Sequence, residues 1–137
     1  MHRKGFTLVE IMIVVAIIAL LVAIAISSLS VKRTDNTATA KANIRALSVA
    51  AEAYATAHSR VYPVHSDGET EIKEYIAQAP KLCAGTAVQG YIYNCSGLAA
   101  NGYTLTATPA SATDGDTTFS VTTGGVIKET AYVAPKP

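Results

Sequence analysis

At 137 residues with a formal net charge of +1, the chain has room for one folded domain beside a membrane segment. Its near-neutral balance argues against nucleic-acid binding as the main task; without Arg3 and Lys4 it holds nine basic against ten acidic side chains. Half of the residues are apolar, and much of that weight falls in the first thirty positions, so the rest has ordinary globular composition.

The chain starts Met1-His-Arg-Lys-Gly5, continues Phe6-Thr-Leu-Val-Glu10, and then runs through sixteen apolar residues from Ile11 to Ile26. At 1.5 Å per residue, Phe6 to Ile26 spans about 30 Å, the thickness of a bilayer core. Lipid offers backbone groups no partner but each other, so the segment is predicted to be helical. Three readings fit it. A cleaved secretory signal has its basic start in Arg3 and Lys4 and an A-x-A site at Ala23-Ile24-Ala25, but the run is long and contains an acid. A plain signal anchor retains the span, and basic residues on both sides (Arg3 and Lys4; Lys32 and Arg33) leave its orientation open. The third reading uses Glu10, which is costly at membrane depth unless neutralised. Cleavage after Gly5 would create the matching charge, the α-amine of Phe6, on the same chain or a neighbouring one.

Lys4-Gly5-Phe6-Thr7-Leu8-Val9-Glu10 before an Ile/Val/Ala/Leu run resembles the N-terminus of type IV pilins and type II secretion pseudopilins. The resemblance implies a prepilin peptidase that cuts between Gly5 and Phe6 and N-methylates Phe6. It implies an apolar helix that anchors the subunit in the inner membrane and later packs in a filament core. Glu10 would pair with the Phe6 amine of an adjacent subunit and set the register of assembly. Two positions depart from the family: Ala19 and Ser27 stand where many members have glycine and proline, and both fit a continuous helix better.

Ser27, Ser28 and Ser30 mark the exit from lipid, with Lys32 and Arg33 at the outer headgroup level. From Thr34 to His58, Ala40, Ile44, Leu47, Ala51 and Tyr54 recur at helical spacing as one apolar stripe, and Lys41, Arg45, Ser48, Glu52 and Thr56 lie off it. One helix is predicted from about Phe6 to about His58, ended by Pro63 and the residues before it. A short helix is predicted over Glu69 to Ala79, capped by Ser66 or Asp67 and stopped by Pro80. Ile72, Tyr75 and Ile76 are its buried face, and Glu69, Glu71 and Glu74 its solvated one.

Beyond Lys81 the period changes to two. Strands are predicted at Gln89–Asn94, Tyr103–Thr108, Thr117–Thr123 and Val126–Thr130, the last two joined by a Gly124-Gly125 turn. Leu105, Phe119, Val121 and Ile127 are the candidates to face the helix. Residues Asn43 to Leu47, Glu52 to Tyr54, Tyr62-Pro63, Tyr103 to Ala107 and Phe119 to Lys128 also resemble stretches of this family. Cys83 and Cys95 flank the first strand; in a small exported domain an even count suggests a disulfide, with two buried thiols as the alternative. Many pilins bridge a loop nearer the C-terminus, so the family's receptor-binding loop does not carry over. His2, His58 and His65 match no zinc spacing. Asp114-Gly115-Asp116 is first a turn signal and otherwise half of a calcium loop.

The predicted architecture is α+β: a long N-terminal helix with a four-stranded antiparallel sheet packed on its C-terminal half, as in the type IV pilin fold. The divisions are a leader at 1–5, a transmembrane and polymerisation helix at 6–30, and a globular domain at 31–137 outside the cytoplasm. No glycine-rich phosphate loop or catalytic triad is recognisable, so the chain reads as a structural subunit and not an enzyme, with no cofactor. Its expected partners are further copies of itself in a helical filament, the prepilin peptidase, the assembly machinery and the inner membrane, with no nucleic acid indicated. A type IV pilus subunit for motility, adhesion or DNA uptake is the first reading, and the major pseudopilin of a type II secretion system the second. A non-polymerising, single-span anchored binding domain is the alternative of another class.

Overall fold

Between Gly5 and Pro63 the chain has neither glycine nor proline, and helix α1 runs Leu8–Ala57. The structure is a computed structural model that describes residues 5–64, 71–77 and 79–135. It divides into two compact units, residues 1–32 and residues 33–137, and α1 contributes to both. α1 stops before Pro63 is reached. Ser59 and Arg60 take left-handed backbone angles (φ 57° and 68°), and the Arg60 N–H bonds back to the Ala55 carbonyl at 2.7 Å. This is the way a helix commonly terminates on glycine, built here from residues whose side chains are strained in that conformation.

In the second unit the predicted stripe is the buried one: Ala40, Ile44, Leu47 and Ala51 are sealed and Tyr54 is half-buried. The stripe packs on an antiparallel sheet of five strands in the order β1-β2-β3-β4-β5: Ala87–Val88, Tyr91–Ala99, Gly102–Pro109, Thr117–Thr122 and Val126–Ala131. The sequence predicts four strands. The fifth is β1, a two-residue strand too short to show a period, which pairs Ala87 with Ile92 and Val88 with Tyr91. Gln89, expected inside the first strand, lies in the turn between β1 and β2 at φ 49°. Leu105, Phe119 and Val121 face the core as predicted, and Ile127 packs partly buried against it. The sequence predicts a two-residue turn at Gly124-Gly125, but Thr122 pairs with Val126, so three residues, Thr123 to Gly125, join β4 to β5; Gly124 and Gly125 take left-handed angles there (φ 88° and 75°). Between Asn94 and Gly97 the β2–β3 register shifts, and a Cβ on Gly97 would run into the Thr104 carbonyl.

The connection between α1 and the sheet differs from the expected short helix. Ser66, Asp67 and Glu69 lie outside the described residues. Ile72 is buried and Ile76 partly so, but Tyr75 is 40% exposed, and 73–75 form a turn. Helix α2 covers Ala79–Leu82, so Pro80 sits in a first helical turn instead of ending a helix. A proline there loses no intrahelical bond, because the first-turn N–H groups have none to make.

A further correction concerns Ser48 and Glu52, which the periodicity places off the buried stripe. Ser48 is buried, and its Oγ lies 2.8 Å from the Tyr103 hydroxyl. Glu52 is half-buried and accepts three hydrogen bonds, from the hydroxyls of Tyr62 and Tyr103 (both 2.9 Å) and the Gly124 N–H (2.7 Å). The cause is the tyrosine content of the sheet. Inward-facing Tyr91, Tyr93 and Tyr103 are buried as rings, and their hydroxyls need partners. Polar residues of α1 supply them: Thr37 for Tyr91, Asn43 for Tyr93, and Ser48 with Glu52 for Tyr103. Burial pushes the Tyr103 hydroxyl up to about 12. Partial burial alone would also raise the Glu52 pKa, but its hydrogen bonds from Gly124, Tyr103 and Tyr62 outweigh it and hold the carboxyl below the ordinary value.

A folded-state pKa below the unfolded one means that Glu52 stabilises the fold above the usual glutamate range near about 4.3, and that this share is lost as pH falls through the depressed value. Glu52→Gln is therefore expected to flatten the acid limb of the stability–pH curve. Glu52→Ala, which leaves Tyr103 short of an acceptor, is expected to cost about 2 kcal/mol at neutral pH. Urea unfolding of both variants at pH 7 and pH 4 checks both statements.

Candidate assembly site at the N-terminus

The described part of this site begins at Gly5; Met1 to Lys4 of the expected leader lie outside the described residues. Gly5 is exposed, and a Cβ there would meet nothing within 4 Å. The fold of the chain therefore does not demand glycine at this position. Phe6 is 84% exposed.

Local hydrogen bonds explain how the helix starts. Thr7 precedes the first helical residue, Leu8, and its Oγ1 accepts the Glu10 N–H at 3.2 Å. In return Glu10 Oε2 accepts the Thr7 N–H and the Thr7 hydroxyl, each at 3.0 Å. This reciprocal pair is a capping box, which satisfies two N–H groups that would otherwise lack partners. It also sets a carboxylate at the positive end of the helix dipole. Charge considerations in the sequence assign Glu10 to the Phe6 amine alone and miss Thr7. The signal was present: Thr7-x-x-Glu10 directly before an apolar run is a helix-start signature. The carboxylate keeps unused lone pairs after both bonds, so the cap and an ammonium partner are compatible on one side chain.

Beyond Glu10, α1 is apolar on every face as far as Ile26. The most apolar window of the helix has a mean hydropathy of 3.2 and is 0% buried, and Leu8, Ile13, Leu20 and Ile26 are all exposed. Such a surface is stable in lipid or against other helices and not in water. Ser28 donates its hydroxyl to the Ala25 carbonyl at 2.9 Å, a bond that keeps a serine compatible with helix.

The other sequence candidates are not drawn into this site. Cys83 and Cys95 are disulfide-bonded in the globular unit, with Cα atoms 5.5 Å apart. His58 stacks on Tyr54 with ring centroids 3.9 Å apart, and its Nδ1 lies 2.9 Å from the Tyr54 carbonyl oxygen. His2 and His65 lie outside the described residues. Asp114 and Asp116 are turn residues: Ser111 donates to Asp114 at 2.6 Å and Thr117 to Asp116 at 2.9 Å. Among the described residues no three His, Cys, Asp or Glu side chains are grouped so as to hold a metal ion.

Residues 1–29 match the family described as the prokaryotic N-terminal methylation motif. No curated protein and no solved structure matched the chain. The match covers the expected leader, the Gly5-Phe6 junction, Glu10 and the whole apolar run, and the long helix packed on an antiparallel sheet accompanies it. The N-terminal 29 residues thus carry the prokaryotic N-terminal methylation motif.

Proposed function

We propose that the chain is a structural, non-enzymatic prepilin that is cleaved after Gly5, N-methylated at Phe6 and assembled through α1 into a type IV pilus. The observation that carries this reading is the coincidence, within residues 1–29, of the methylation motif with an apolar helix that no described residue covers. Before assembly the helix anchors the subunit in the inner membrane with the globular unit outside the cytoplasm. After assembly the same surface is buried against neighbouring copies. Glu10 then accepts the Phe6 ammonium of an adjacent subunit while Thr7 holds the carboxylate in place. The working divisions are the leader at 1–5, the membrane and polymerisation helix at 6–30, and the globular domain at 31–137. The disulfide-stapled, small globular unit favours a pilus subunit over the pseudopilin of a secretion system, which shares the same N-terminal chemistry.

Gly5 supports the role of a peptidase because its lack of a side chain answers no need of the fold. Gly5→Leu is expected to leave the protein folded and inserted but uncleaved, so that mass spectrometry finds the Met1 end intact and no filaments form. Normal processing of Gly5→Leu would remove cleavage at this junction from the account. Electron microscopy separates the two filament readings: surface pili from the wild-type chain support the pilus. Filaments confined to the periplasm, with loss of a secreted substrate on deletion, support the pseudopilus.

A further inference from the structure

The sheet has a second face, turned away from α1, whose chemistry the filament reading does not use. Its residues alternate with the buried ones along each strand. A middle row crosses four strands in register: Asn94, Thr106, Ser120 and Lys128. On one side lie Thr104, Thr122 and Val126, paired in the same way. On the other lie the pairs Ile92–Thr108 and Thr118–Thr130. Rows repeat about 6.8 Å apart along a strand and strands about 4.8 Å apart, so the middle row spans roughly 14 Å.

Three properties set this face apart. First, its hydroxyls are unengaged. Thr104, Thr106, Thr108, Thr118, Ser120, Thr122 and Thr130 make no side-chain hydrogen bond among the described residues. Thr117, at the start of β4, and Thr123, just past its end, are by contrast bonded to Asp116 and to Tyr103. Second, among the described residues these rows hold no carboxylate and Lys128 is their lone cation: Glu129 points to the other side, where it pairs with Lys41 at 2.6 Å. Third, the row opens at its β2 end on a depression of about 300 Å³ lined by Ile92, Asn94, Ser96 and the Cys83–Cys95 disulfide. There Asn94 Oδ1 is taken by the Ser96 N–H and hydroxyl, which leaves the amide N–H groups as donors. The exposed apolar side chains stand at opposite margins, Ile92 at 38% and Val126 at 65%.

From this arrangement we propose that the outer sheet face binds an unbranched, uncharged polysaccharide laid across the strands along the Asn94–Thr106–Ser120–Lys128 row. Each hydroxyl both donates and accepts, and a ligand that answers a row of them must do the same at a short, regular repeat. Sugar hydroxyls do so. Ile92 and Val126 offer apolar contact to the C–H faces of pyranose rings, and the depression beside the disulfide seats one ring. A phosphate or polyuronate ligand would call for more than one cation. A protein partner would call for an apolar centre ringed by polar groups, and here the apolar residues lie at the margins.

The test uses the full chain in detergent, retained on suspensions of amylose, cellulose and chitin, with polygalacturonate beads as the charged probe. Wild type is expected on at least one of the three neutral polymers. The double variant Thr106→Val/Ser120→Ala, which keeps strand-compatible shapes, is expected to be held about tenfold less or weaker still, from two lost hydrogen bonds. Its thermal unfolding should be unchanged. If that variant melts lower, Thr104→Val/Thr122→Val in the adjoining row replaces it under the same expectation. Failure of wild type on all three neutral polymers overturns the proposal. So does equal retention of the folded variant, or stronger binding to polygalacturonate that vanishes in Lys128→Ala. A change in self-association caused by the double variant would instead mark the face as a contact between copies, and would overturn it too.

Discussion

Glu10→Ala is expected to leave membrane insertion intact and to reduce filaments below detection. The apolar run does not need the acid to insert; removing an ionisable group from membrane depth makes insertion more favourable, by up to about 3 kcal/mol on insertion scales. What the variant lacks is both roles of the side chain. The capping box with Thr7 is gone, at a cost of about 1 kcal/mol to the helix start. The acceptor for a neighbour's Phe6 ammonium is gone as well. Glu10→Gln separates the two. A glutamine oxygen can still accept from Thr7, since Gln is the other usual partner in a capping box, but it carries no charge. The charge-pair account predicts that Glu10→Gln chains insert, keep their helix start and still fail to assemble. Abundant filaments from Glu10→Gln, with none from Glu10→Ala, would show that the cap and not the ion pair is what assembly requires.

The second large effect is expected from the disulfide. β1 is held to β2 by two residue pairs, and the Cys83–Cys95 bond closes the loop that carries it. Cys95 is buried on the core side of β2, and Cys83 follows directly on α2. For a sequence separation of 12, the chain-entropy estimate is about 3 kcal/mol. That is a large fraction of the net stability of a domain of this size. Cys83→Ser/Cys95→Ser is expected to lower the unfolding midpoint of the globular unit by about 10 °C or more. Amide exchange should quicken first in 83–90, ahead of β3 and β4, because the two-pair β1 ladder and the bond from the Ala110 N–H to the Gly90 carbonyl are then short ties of this segment to the sheet. A double variant with wild-type stability, or one in which exchange quickens evenly across the sheet, would contradict that role.

The parts of the fold that could be read from the sequence are those carried by a repeating pattern. Ala40, Ile44, Leu47 and Ala51 mark a helical face by spacing alone, and Leu105, Phe119, Val121 and Ile127 mark a sheet face by alternation. The parts that could not be read are those where tertiary partners override the pattern. Ser48 and Glu52 look solvated on a helical wheel, yet the hydroxyls of Tyr62 and Tyr103 and the hairpin N–H of Gly124 reach them. β1 is too short for any period, and α2 starts where Pro80 reads as a stop. At the candidate site, the motif over residues 1–29 is legible because it is linear. Thr7 was legible in principle, since a cap is also a local feature of sequence, but the charge of Glu10 points first to a distant partner.

The capping box changes how the N-terminus works without changing what it is for. In the uncleaved chain, Glu10 is already bonded to Thr7, so the carboxylate is oriented before any partner arrives. On the proposed reading, cleavage after Gly5 would add a cation one residue before Thr7, at a helix end whose dipole favours the carboxylate over the ammonium. A Glu10 carboxylate held by Thr7, on the same chain or a neighbouring one, would offer that amine a pre-positioned acceptor.

The most direct measurement is the intact mass and N-terminal sequence of the subunit recovered from membranes or filaments. A chain that begins at Phe6 and carries one added methyl group on its amine is the predicted result. A mature chain that begins after Ala25, or one that retains Met1, would contradict the account.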